Sequence, residues 1–238
     1  MNCEICNSNK IKKIKEGKFS FIYCNTCNVK YHYPIPSIEY LTSWYSGKGL
    51  AKRWKGNILN AINANYKQNR GNYSTYLELI KEVPIKGSAL DIGCYAGHFL
   101  THLIKRGFNG IGIDLNPGLI EYGKKTFNID LRQGDLSHVK FDTDYFNLIT
   151  CHQVLEHVRN PYDFLKEIKR ILKPNGFIAM SVPDAGCNKK ISYPEHLFHF
   201  TEKSIRYLFS RLSLTFTITH NFSQKALFVL GRKSNEDL

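Results

Sequence analysis

The segment from Ala89 to Leu100 joins an apolar run, a turn between two glycines and the first residues of an amphipathic helix. The apolar run predicts a buried parallel strand, and Gly93 and Gly97 predict a tight turn directly after it. A helix that begins after such a turn presents backbone N–H groups and the positive end of its dipole. Asp91, near the end of the strand, adds a carboxylate suited to an ammonium or hydroxyl group. The segment therefore predicts an α/β domain with a binding site for a charged small ligand.

A second strand pattern, Gly110 to Asp114, also ends in an acid, and Asp114 follows Asp91 by 23 positions. At about this spacing a strand–helix–strand unit brings a carboxylate to the two ribose hydroxyls of a bound nucleoside. A short third strand is predicted before Gly134, and a fourth from Phe146 to Cys151. This succession favours a doubly wound sheet with helices on both faces.

Five short motifs follow one another between residues 87 and 185. They are Leu90-Asp-Ile-Gly-Cys94, Gly112-Ile-Asp114, Gly134-Asp-Leu136, Val154-Leu-Glu-His-Val158 and Leu172-Lys-Pro-Asn-Gly-Phe177. In order and spacing they resemble class I S-adenosylmethionine-dependent methyltransferases. A dehydrogenase would need Gly-x-Gly-x-x-Gly after the first strand, and this turn does not supply it. The resemblance implies a Rossmann-like, seven-stranded sheet whose last two strands form a terminal hairpin.

The same resemblance assigns the cofactor contacts. It gives the methionine end to Asp91, Gly93 and Gly97, the ribose to Asp114 and Leu115, and the adenine to Asp135 and Leu136. His152 follows the fourth strand and is expected near the transferred methyl group, because ligands bind outside the carboxyl ends of the strands.

The turn departs from the family pattern at Tyr95. The family usually has a glycine there, and glycine permits a positive φ and a close approach of the ligand. Tyr95 must therefore either fit a negative-φ turn or strain it, and its ring is expected beside the methionine part of the cofactor. We favour a tolerated variation over weakened or reshaped cofactor binding.

Two segments compete for the role of catalytic base, and the first contains His152, Glu156 and His157. His157 lies in a motif position that in this family often supports the helix and loop. The second segment, Tyr193-Pro-Glu-His196, resembles that of sugar C-methyltransferases that carry an N-terminal zinc ribbon. In those enzymes a His–Glu pair deprotonates the carbon beside a keto group. That resemblance implies His196 as the base, with Glu195 and Tyr193 assisting. The alternative is that the acid and imidazole only anchor a lid to the sheet.

Four cysteines near the N-terminus form two Cys-x-x-Cys pairs separated by 17 residues, namely Cys3, Cys6, Cys24 and Cys27. Two such pairs can converge tetrahedrally on Zn²⁺ at ~2.3 Å. The residues between the pairs alternate as in a β-hairpin, which predicts a zinc ribbon. A segment this short cannot bury enough apolar surface to fold alone, so the predicted zinc is structural.

The predicted organisation is a zinc ribbon over residues 1–36, a helical linker or cap over 37–86 and the methyltransferase domain over 87–238. The cap is predicted to begin with a short helix after Ser37 and to continue in one or two helices over 48–83. Tyr66, Arg70 and Tyr73 in those helices are candidates either for the active site or for packing. The remaining cysteines, Cys94, Cys151 and Cys187, are expected to be buried or semi-buried free thiols.

The formal net charge is +13, and +9 of it lies in the first 86 residues. A basic face of this kind suits phosphorylated substrates, RNA or an anionic membrane surface, and a lysine-rich proteome also produces it without any function. There is no apolar run of membrane-spanning length and no signal-peptide core, which predicts a cytoplasmic protein without a membrane span.

The leading interpretation is methyl transfer to an oxygen or carbon of a small molecule, above all a nucleotide-linked sugar or glycan precursor in carbohydrate biosynthesis. The signature Asn-Pro-Pro-Tyr of amino-methyltransferases is missing after the fourth strand. One alternative is an RNA methyltransferase that grips RNA with the basic ribbon. A second alternative is a non-catalytic protein that binds S-adenosylmethionine or serves as a scaffold.

Overall fold

The computed structural model describes residues 1–45, 62, 72–84, 87–187 and 193–235. The strands are β1 (Ile11–Glu16), β2 (Phe19–Cys24), β3 (Lys30–His32), β4 (Ser88–Ile92), β5 (Asn109–Asp114), β6 (Asp130–Gln133), β7 (Phe146–His152), β8 (Leu172–Pro183), β9 (Phe198–His199), β10 (Thr215–Asn221) and β11 (Ala226–Arg232). The helices are α1 (Ile38–Ser43), α2 (72–79), α3 (His98–Lys105), α4 (Pro117–Phe127), α5 (Pro161–Ile171) and α6 (Glu202–Arg211). Most of the predicted cap helices, with Tyr66 and Arg70, lie outside the described residues.

The larger sheet has seven strands in the order β10-β11-β8-β7-β4-β5-β6. The five strands from β8 to β6 are parallel, β11 is antiparallel to its neighbour β8, and β10 is antiparallel to β11. The predicted α/β sheet and its terminal hairpin are confirmed. β8 begins at Leu172, the first residue of the Leu172–Phe177 motif, and it pairs with β7 on both sides of a register shift between Phe146 and Leu148.

Both faces of the large sheet are covered by helices, which explains its apolar central strands. Leu148, Ile149 and Cys151 of β7 are fully buried, as expected for a parallel strand between two helical layers. α3 buries Phe99, Leu100 and Leu103, and α5 buries Leu165, Ile168 and Ile171. The carboxyl ends of the parallel strands are therefore held in place between two layers of helices.

Helix starts follow local chemistry. Asn116 and Asn160 cap α4 and α5, and each is followed by proline at the first helical position. Ser37 caps α1 as predicted, since its side chain accepts a hydrogen bond from the Tyr40 N–H. Among the described residues, no helix is long and apolar enough to cross a membrane.

The second sheet is antiparallel, in the order β1-β2-β3-β9. The predicted hairpin is β1–β2, and β9 belongs to the segment that follows the large sheet's β8. Lys30 and Tyr31 of β3 pair with His199 and Phe198. This pairing was not predicted, and it joins the cysteine-rich segment to the segment that contains Tyr193, Glu195 and His196.

Further contacts fix the cysteine-rich segment on the large domain. The Arg211 guanidinium donates to the Ile5 carbonyl at 2.7 Å, and the Arg159 guanidinium hydrogen-bonds the Pro36 carbonyl. Of the other predicted thiols, Cys94 and Cys151 are buried, whereas Cys187 is exposed. The expectation of a buried or semi-buried thiol was wrong at Cys187, which lies in the loop after β8 rather than in a strand.

Candidate active site

The strand order reverses between β4 and β7. After β4 the chain crosses to β5 and β6 on one side, and after β7 it crosses to β8 on the other. In open α/β sheets, such a switch point leaves a crevice outside the carboxyl ends of the strands, where ligands bind. The predicted cofactor residues lie at the ends of β4, β5, β6 and β7.

Asp91 lies almost completely buried in β4. The Thr150 hydroxyl of neighbouring β7 donates a hydrogen bond to its carboxylate at 2.7 Å. Burial raises the pKa of Asp91 to about 7, and the charge of Asp114 raises it further against the effect of Thr150. A cationic ligand group would restore the ionised form.

The turn after β4 leaves no room for side chains at its glycines. Gly93 has a φ of +70°, and a Cβ there would lie 2.5 Å from Val154 Cγ2. The N–H groups of Gly93 and Cys94 both donate to the Ile113 carbonyl of β5. Gly97, at a φ of +82°, is the N-cap of α3 and carries no capping side chain. The helix N-terminus thus opens directly at the crevice.

Asp114, at the end of β5, ties the glycine turn to the next loop. One carboxylate oxygen accepts from the Tyr95 N–H at 3.0 Å, and the other accepts from the Asn116 N–H at 2.9 Å. Burial raises the pKa of Asp114 to about 6, against the effect of these two bonds. The residue is part-buried and lies where the sequence predicts a ribose contact.

Tyr95 adopts a φ of +57°. This left-handed conformation costs a non-glycine residue about 1–2 kcal/mol, so Tyr95 strains the turn rather than changing its shape. Its ring packs against the small cluster of Ile62, Ala96 and Leu119. Gln153, just after β7, has the same φ of +57°. Tyr95 and Gln153, two of the nine non-glycine residues with a positive φ in the described ranges, therefore lie on neighbouring strand ends.

The predicted adenine contacts lie beyond β6. One oxygen of Asp135 accepts hydrogen bonds from the Ser137 N–H and hydroxyl at 2.8 and 2.5 Å. Although burial raises the pKa of Asp135, bonds from Ser137 and His138 hold it below its usual value. Leu136 is buried and Leu115 is exposed. These residues form the outer end of the crevice, beside β5 and β6.

His152 ends β7 and stacks on Tyr76 of α2, with ring centroids 3.6 Å apart and planes at 4°. Its Nδ1 lies 3.3 Å from the Ser181 hydroxyl. Burial lowers the pKa of His152 to about 3, so the ring is neutral. Tyr76 was not predicted as a site residue, although the apolar pattern of its helix could have identified the buried face. Tyr73, the described cap candidate, packs on Phe99 at 5.6 Å.

The predicted catalytic histidines come together beyond β7. The rings of His157 and His196 have centroids 5.0 Å apart, at 82°. The His157 Nδ1 lies 2.7 Å from the Glu195 carbonyl oxygen. The Tyr193 ring contacts Phe19 and His32 of the second sheet. His157 and His196 thus share one site, and Tyr193 connects that site to the cysteine-rich segment.

Glu156, between Leu155 and His157, belongs to the first of the two segments that compete for the role of catalytic base, but no role of its own was predicted for it. Its side chain is 1% exposed, and neither carboxylate oxygen has a hydrogen-bond partner among the described residues. Burial raises the pKa of Glu156 to about 8. Burial raises the pKa values of Tyr76 and Cys151, and the Glu156 carboxylate raises both further. The sequence signal that could have identified Glu156 is an acid that follows the apolar residues Val154 and Leu155.

The four N-terminal cysteines converge as predicted. Their sulfur atoms all lie within 4.8 Å of one another, with Cys3 and Cys27 at 3.7 Å and Cys6 and Cys24 at 3.4 Å. Sulfurs bound to Zn²⁺ at ~2.3 Å in a tetrahedron are about 3.8 Å apart, so the four thiols fit this ion. The cluster could hold zinc between the hairpin and α6.

Comparisons with known proteins identify the large domain. The fold matches that of a Thermotoga maritima protein described as an S-adenosylmethionine-dependent methyltransferase, with a TM-score of 0.61, 17% identity and coverage of 78% of this chain and 99% of that one. It also matches a chain from the Haloferax volcanii complex of the Trm112 methyltransferase activator with a methyltransferase, with a TM-score of 0.62, 16% identity and coverage of 82% and 97%. The fold is therefore that of class I S-adenosylmethionine-dependent methyltransferases.

Residues 90–180 match the family described as Methyltransferase domain. Over 112 residues the chain is 31% identical to the ubiquinone biosynthesis O-methyltransferase of Coxiella burnetii. The aligned residues make up 44% of this chain and 47% of that protein. The chain thus spans about half the length of this curated relative. The match to a methyltransferase domain thus includes or adjoins the glycine turn and the predicted acids.

Proposed function

We propose that this protein transfers a methyl group from S-adenosylmethionine to an oxygen or carbon of a small molecule. The observation that carries the proposal is the arrangement at the switch point. A buried carboxylate, Asp91, and a part-buried one, Asp114, flank a glycine turn that opens onto a helix N-terminus. Such carboxylates can bind a cationic group of a ligand and accept hydrogen bonds from a pair of its hydroxyl groups.

The residues present fit S-adenosylmethionine. Asp91 would bind its ammonium group, the turn from Gly93 to Gly97 would pack against its methionine part, and Asp114 would accept from its ribose hydroxyls. The bound cofactor supplies an electrophilic methyl group on a sulfonium centre. The neutral His152 ring, held by Tyr76, forms an apolar wall that excludes water without repelling a sulfonium.

The acceptor half of the proposed site contains His196, Glu195, His157 and Glu156. We assign proton removal from the acceptor to His196, because histidine is the side chain that most often acts as a general base. The name of the Coxiella burnetii relative favours an oxygen acceptor, and the Tyr193-Pro-Glu-His196 segment favours a carbon acceptor. A nucleotide-linked sugar or glycan precursor remains the proposed substrate class, with its phosphates near the basic N-terminal segment. The proposed location is the cytoplasm.

The cysteine cluster is proposed to hold one structural zinc ion. Its role would be to fix β3, and through β9 the segment that carries His196. No proposed reaction step involves this ion.

The test is a calorimetric titration of zinc-replete protein with S-adenosylmethionine and with its demethylated product. Micromolar binding of both, followed by release of the demethylated product with a nucleotide-sugar acceptor, is the expected result. NMR of the methylated product then distinguishes an O-methyl from a C-methyl group. Absence of binding in folded, zinc-replete protein would contradict the proposal and favour the scaffold alternative.

The RNA alternative is tested in parallel. Lys12, Lys13 and Lys18 lie over the rings of Tyr23, Tyr33 and Phe19, at 4.6 to 5.4 Å. Affinity for structured RNA that falls steeply with salt, together with methylated RNA, would favour this alternative. Weak, unselective RNA binding without methylation favours the small-molecule acceptor.

A further inference from the structure

A compact group of ligand-type side chains lies at the carboxyl end of β7, separate from the cysteine cluster. Glu156, His157 and His196 each offer one ligand atom, and these atoms all lie within 4.8 Å of one another. The His157 Nε2 is 3.8 Å from the Glu156 carboxylate. That is too long for a hydrogen bond. Two ligands of one ion at ~2.1 Å in a tetrahedron are about 3.4 Å apart, which is close to this separation.

The Glu156 carboxylate is the strongest indication of a cation. It is 1% exposed, and neither oxygen has a hydrogen-bond partner within the described ranges. Buried carboxylates in proteins are normally paired with a charge, hydrogen-bonded or bound to a metal. Here the groups that face it are the two imidazoles, which are neutral metal ligands when a cation is present.

The tautomer of His157 suits a metal ligand. Its Nδ1 lies 2.7 Å from the Glu195 carbonyl oxygen, which can only accept, so Nδ1 carries the proton. The acceptor lone pair is therefore on Nε2, the atom nearest the Glu156 carboxylate. A backbone carbonyl that fixes the outer nitrogen in this way is usual for histidines that bind metals.

The backbone holds the three side chains together before any ion binds. The Leu197 N–H donates to the Glu156 carbonyl at 2.7 Å, and the His157 N–H donates to the Val154 carbonyl at 2.9 Å. The His32 N–H in turn donates to the Leu197 carbonyl at 3.0 Å. The segment that carries His196 is thus attached on one side to the turn after β7 and on the other to the second sheet.

We propose that Glu156, His157 and His196 form a second metal site, which binds a divalent transition-metal ion such as Zn²⁺, Fe²⁺ or Co²⁺. Two imidazoles and one carboxylate are the ligands that these ions accept while leaving coordination positions open. If the proposed function is correct, an open position would face the acceptor and lower the pKa of a hydroxyl group bound there, and His196 would then serve as a metal ligand rather than as the base.

The test uses Co²⁺ and the full chain with zinc kept in the cysteine cluster. We expect one further equivalent of Co²⁺ to bind, with visible absorption but without the thiolate charge-transfer band that a cysteine site gives. Glu156→Gln should weaken this binding by at least about tenfold. Metal analysis should then find two ions per chain in the wild type and one in the variant.

Glu202→Gln is the matched control. Its carboxylate also lies beside a histidine, 2.6 Å from the His220 Nε2, but on the exposed surface. This variant should keep the Co²⁺ spectrum and its affinity. If Glu156→Gln fails to fold, His196→Gln serves in its place, with melting temperature as a check of folding.

Two results would overturn the proposal. One is a zinc-replete wild type that shows no additional Co²⁺ absorption at millimolar metal. The other is an unchanged spectrum and affinity in folded Glu156→Gln or His196→Gln. Failure of the metal proposal can be distinguished from failure of the proposed function, because calorimetry of S-adenosylmethionine in metal-free buffer tests the proposed function independently.

Discussion

The cofactor half and the acceptor half of the proposed site are built in different ways. The cofactor half consists of strand–turn–helix units, in which Asp91, the glycine turn and Asp114 are neighbours in sequence or lie on adjacent parallel strands. The acceptor half consists of the turn around Glu156 and the segment that carries His196. That segment is attached to β3, more than 160 positions earlier in the chain.

This difference separates two tasks that one crevice has to perform. Local units can preserve a cofactor site whatever is attached to the rest of the sheet. An acceptor site made from distant segments can change when either segment changes. Substitutions in the cysteine-rich segment should therefore alter turnover more than cofactor affinity, and substitutions at β4 and β5 should do the reverse.

The largest effect is expected from Cys27→Ser. Structural zinc contributes about 10–16 kcal/mol of binding free energy to small domains, so its loss should unfold the hairpin and release β9. Turnover should fall by at least about 100-fold, since misplacement of catalytic groups by about 1 Å already has this effect. Affinity for S-adenosylmethionine should stay within about threefold.

Cys187→Ser is the control, because that thiol is exposed and outside the cluster. Circular dichroism, metal analysis and calorimetry are the measurements. Equal losses of turnover and cofactor affinity in Cys27→Ser would show that the two halves are not separable.

Asp114→Ala should produce the reverse pattern. It removes the acceptor of the Tyr95 and Asn116 N–H groups together with the proposed ribose contact. Hydrogen bonds to a charged group contribute about 1.5–3 kcal/mol, so cofactor affinity should fall by about 10- to 100-fold. Asp130→Ala, on exposed β6, is the matched control, and calorimetry is the measurement. Wild-type affinity in Asp114→Ala would contradict the cofactor assignment.

The pH dependence of cofactor binding tests Asp91. Because burial raises its pKa to about 7, its contribution to stability in the free protein is present below the unfolded pKa near 3.9 and is lost as the pH rises through about 7. Binding of an ammonium group favours the ionised form. Affinity for S-adenosylmethionine should therefore rise by up to about tenfold from pH 6 to pH 8. Asp91→Asn should abolish this rise, and a rise that persists would assign it to another group.

Phe19→Ala tests the acceptor half without disturbing the cysteines. The Phe19 ring contacts Tyr193 and His32 at 5.2 and 5.7 Å. Its loss should loosen the Tyr193 segment and reduce kcat/KM by about fivefold, with unchanged cofactor affinity. Phe222→Ala removes a ring that is 73% exposed on the terminal hairpin and should change neither value. Steady-state kinetics with a methyl acceptor found by screening is the measurement.

The smallest effect is expected from Tyr95→Gly. Glycine should relieve about 1 kcal/mol of left-handed backbone strain, while the ring's packing near Leu119 is lost. Cofactor affinity should change by less than about threefold. Asn128→Gly, with a φ of +51° at the end of α4, is the control for the relief of backbone strain alone. A large gain of affinity would show that Tyr95 obstructs the site.

The cofactor half could be predicted from the sequence because its signals are local. An apolar run followed by glycine and an acid reports a strand end directly, so the neighbourhoods of Asp91 and Asp114 were located without a structure. The positive φ of Tyr95 was anticipated as one of two outcomes, and packing of its neighbours decided between them.

The acceptor half could be predicted only in part. His157 and His196 were identified, but β9 has two residues and carries no periodicity, so its pairing with β3 left no sequence signal. The burial of Glu156 and the stack of Tyr76 on His152 arise from tertiary packing. Such contacts depend on which elements meet, and a pattern within one element does not report that.

The pairing of Lys30 with His199 has a consequence for biosynthesis. During synthesis β3 leaves the ribosome long before β9, and until then its outer edge is an unpaired strand edge, a template for wrong partners. The pairing of these two segments is also a contact between residues far apart in sequence, and such contacts slow folding. The nascent chain therefore completes its acceptor half only after residue 199 has been made, and interrupted synthesis before that point leaves an adhesive edge.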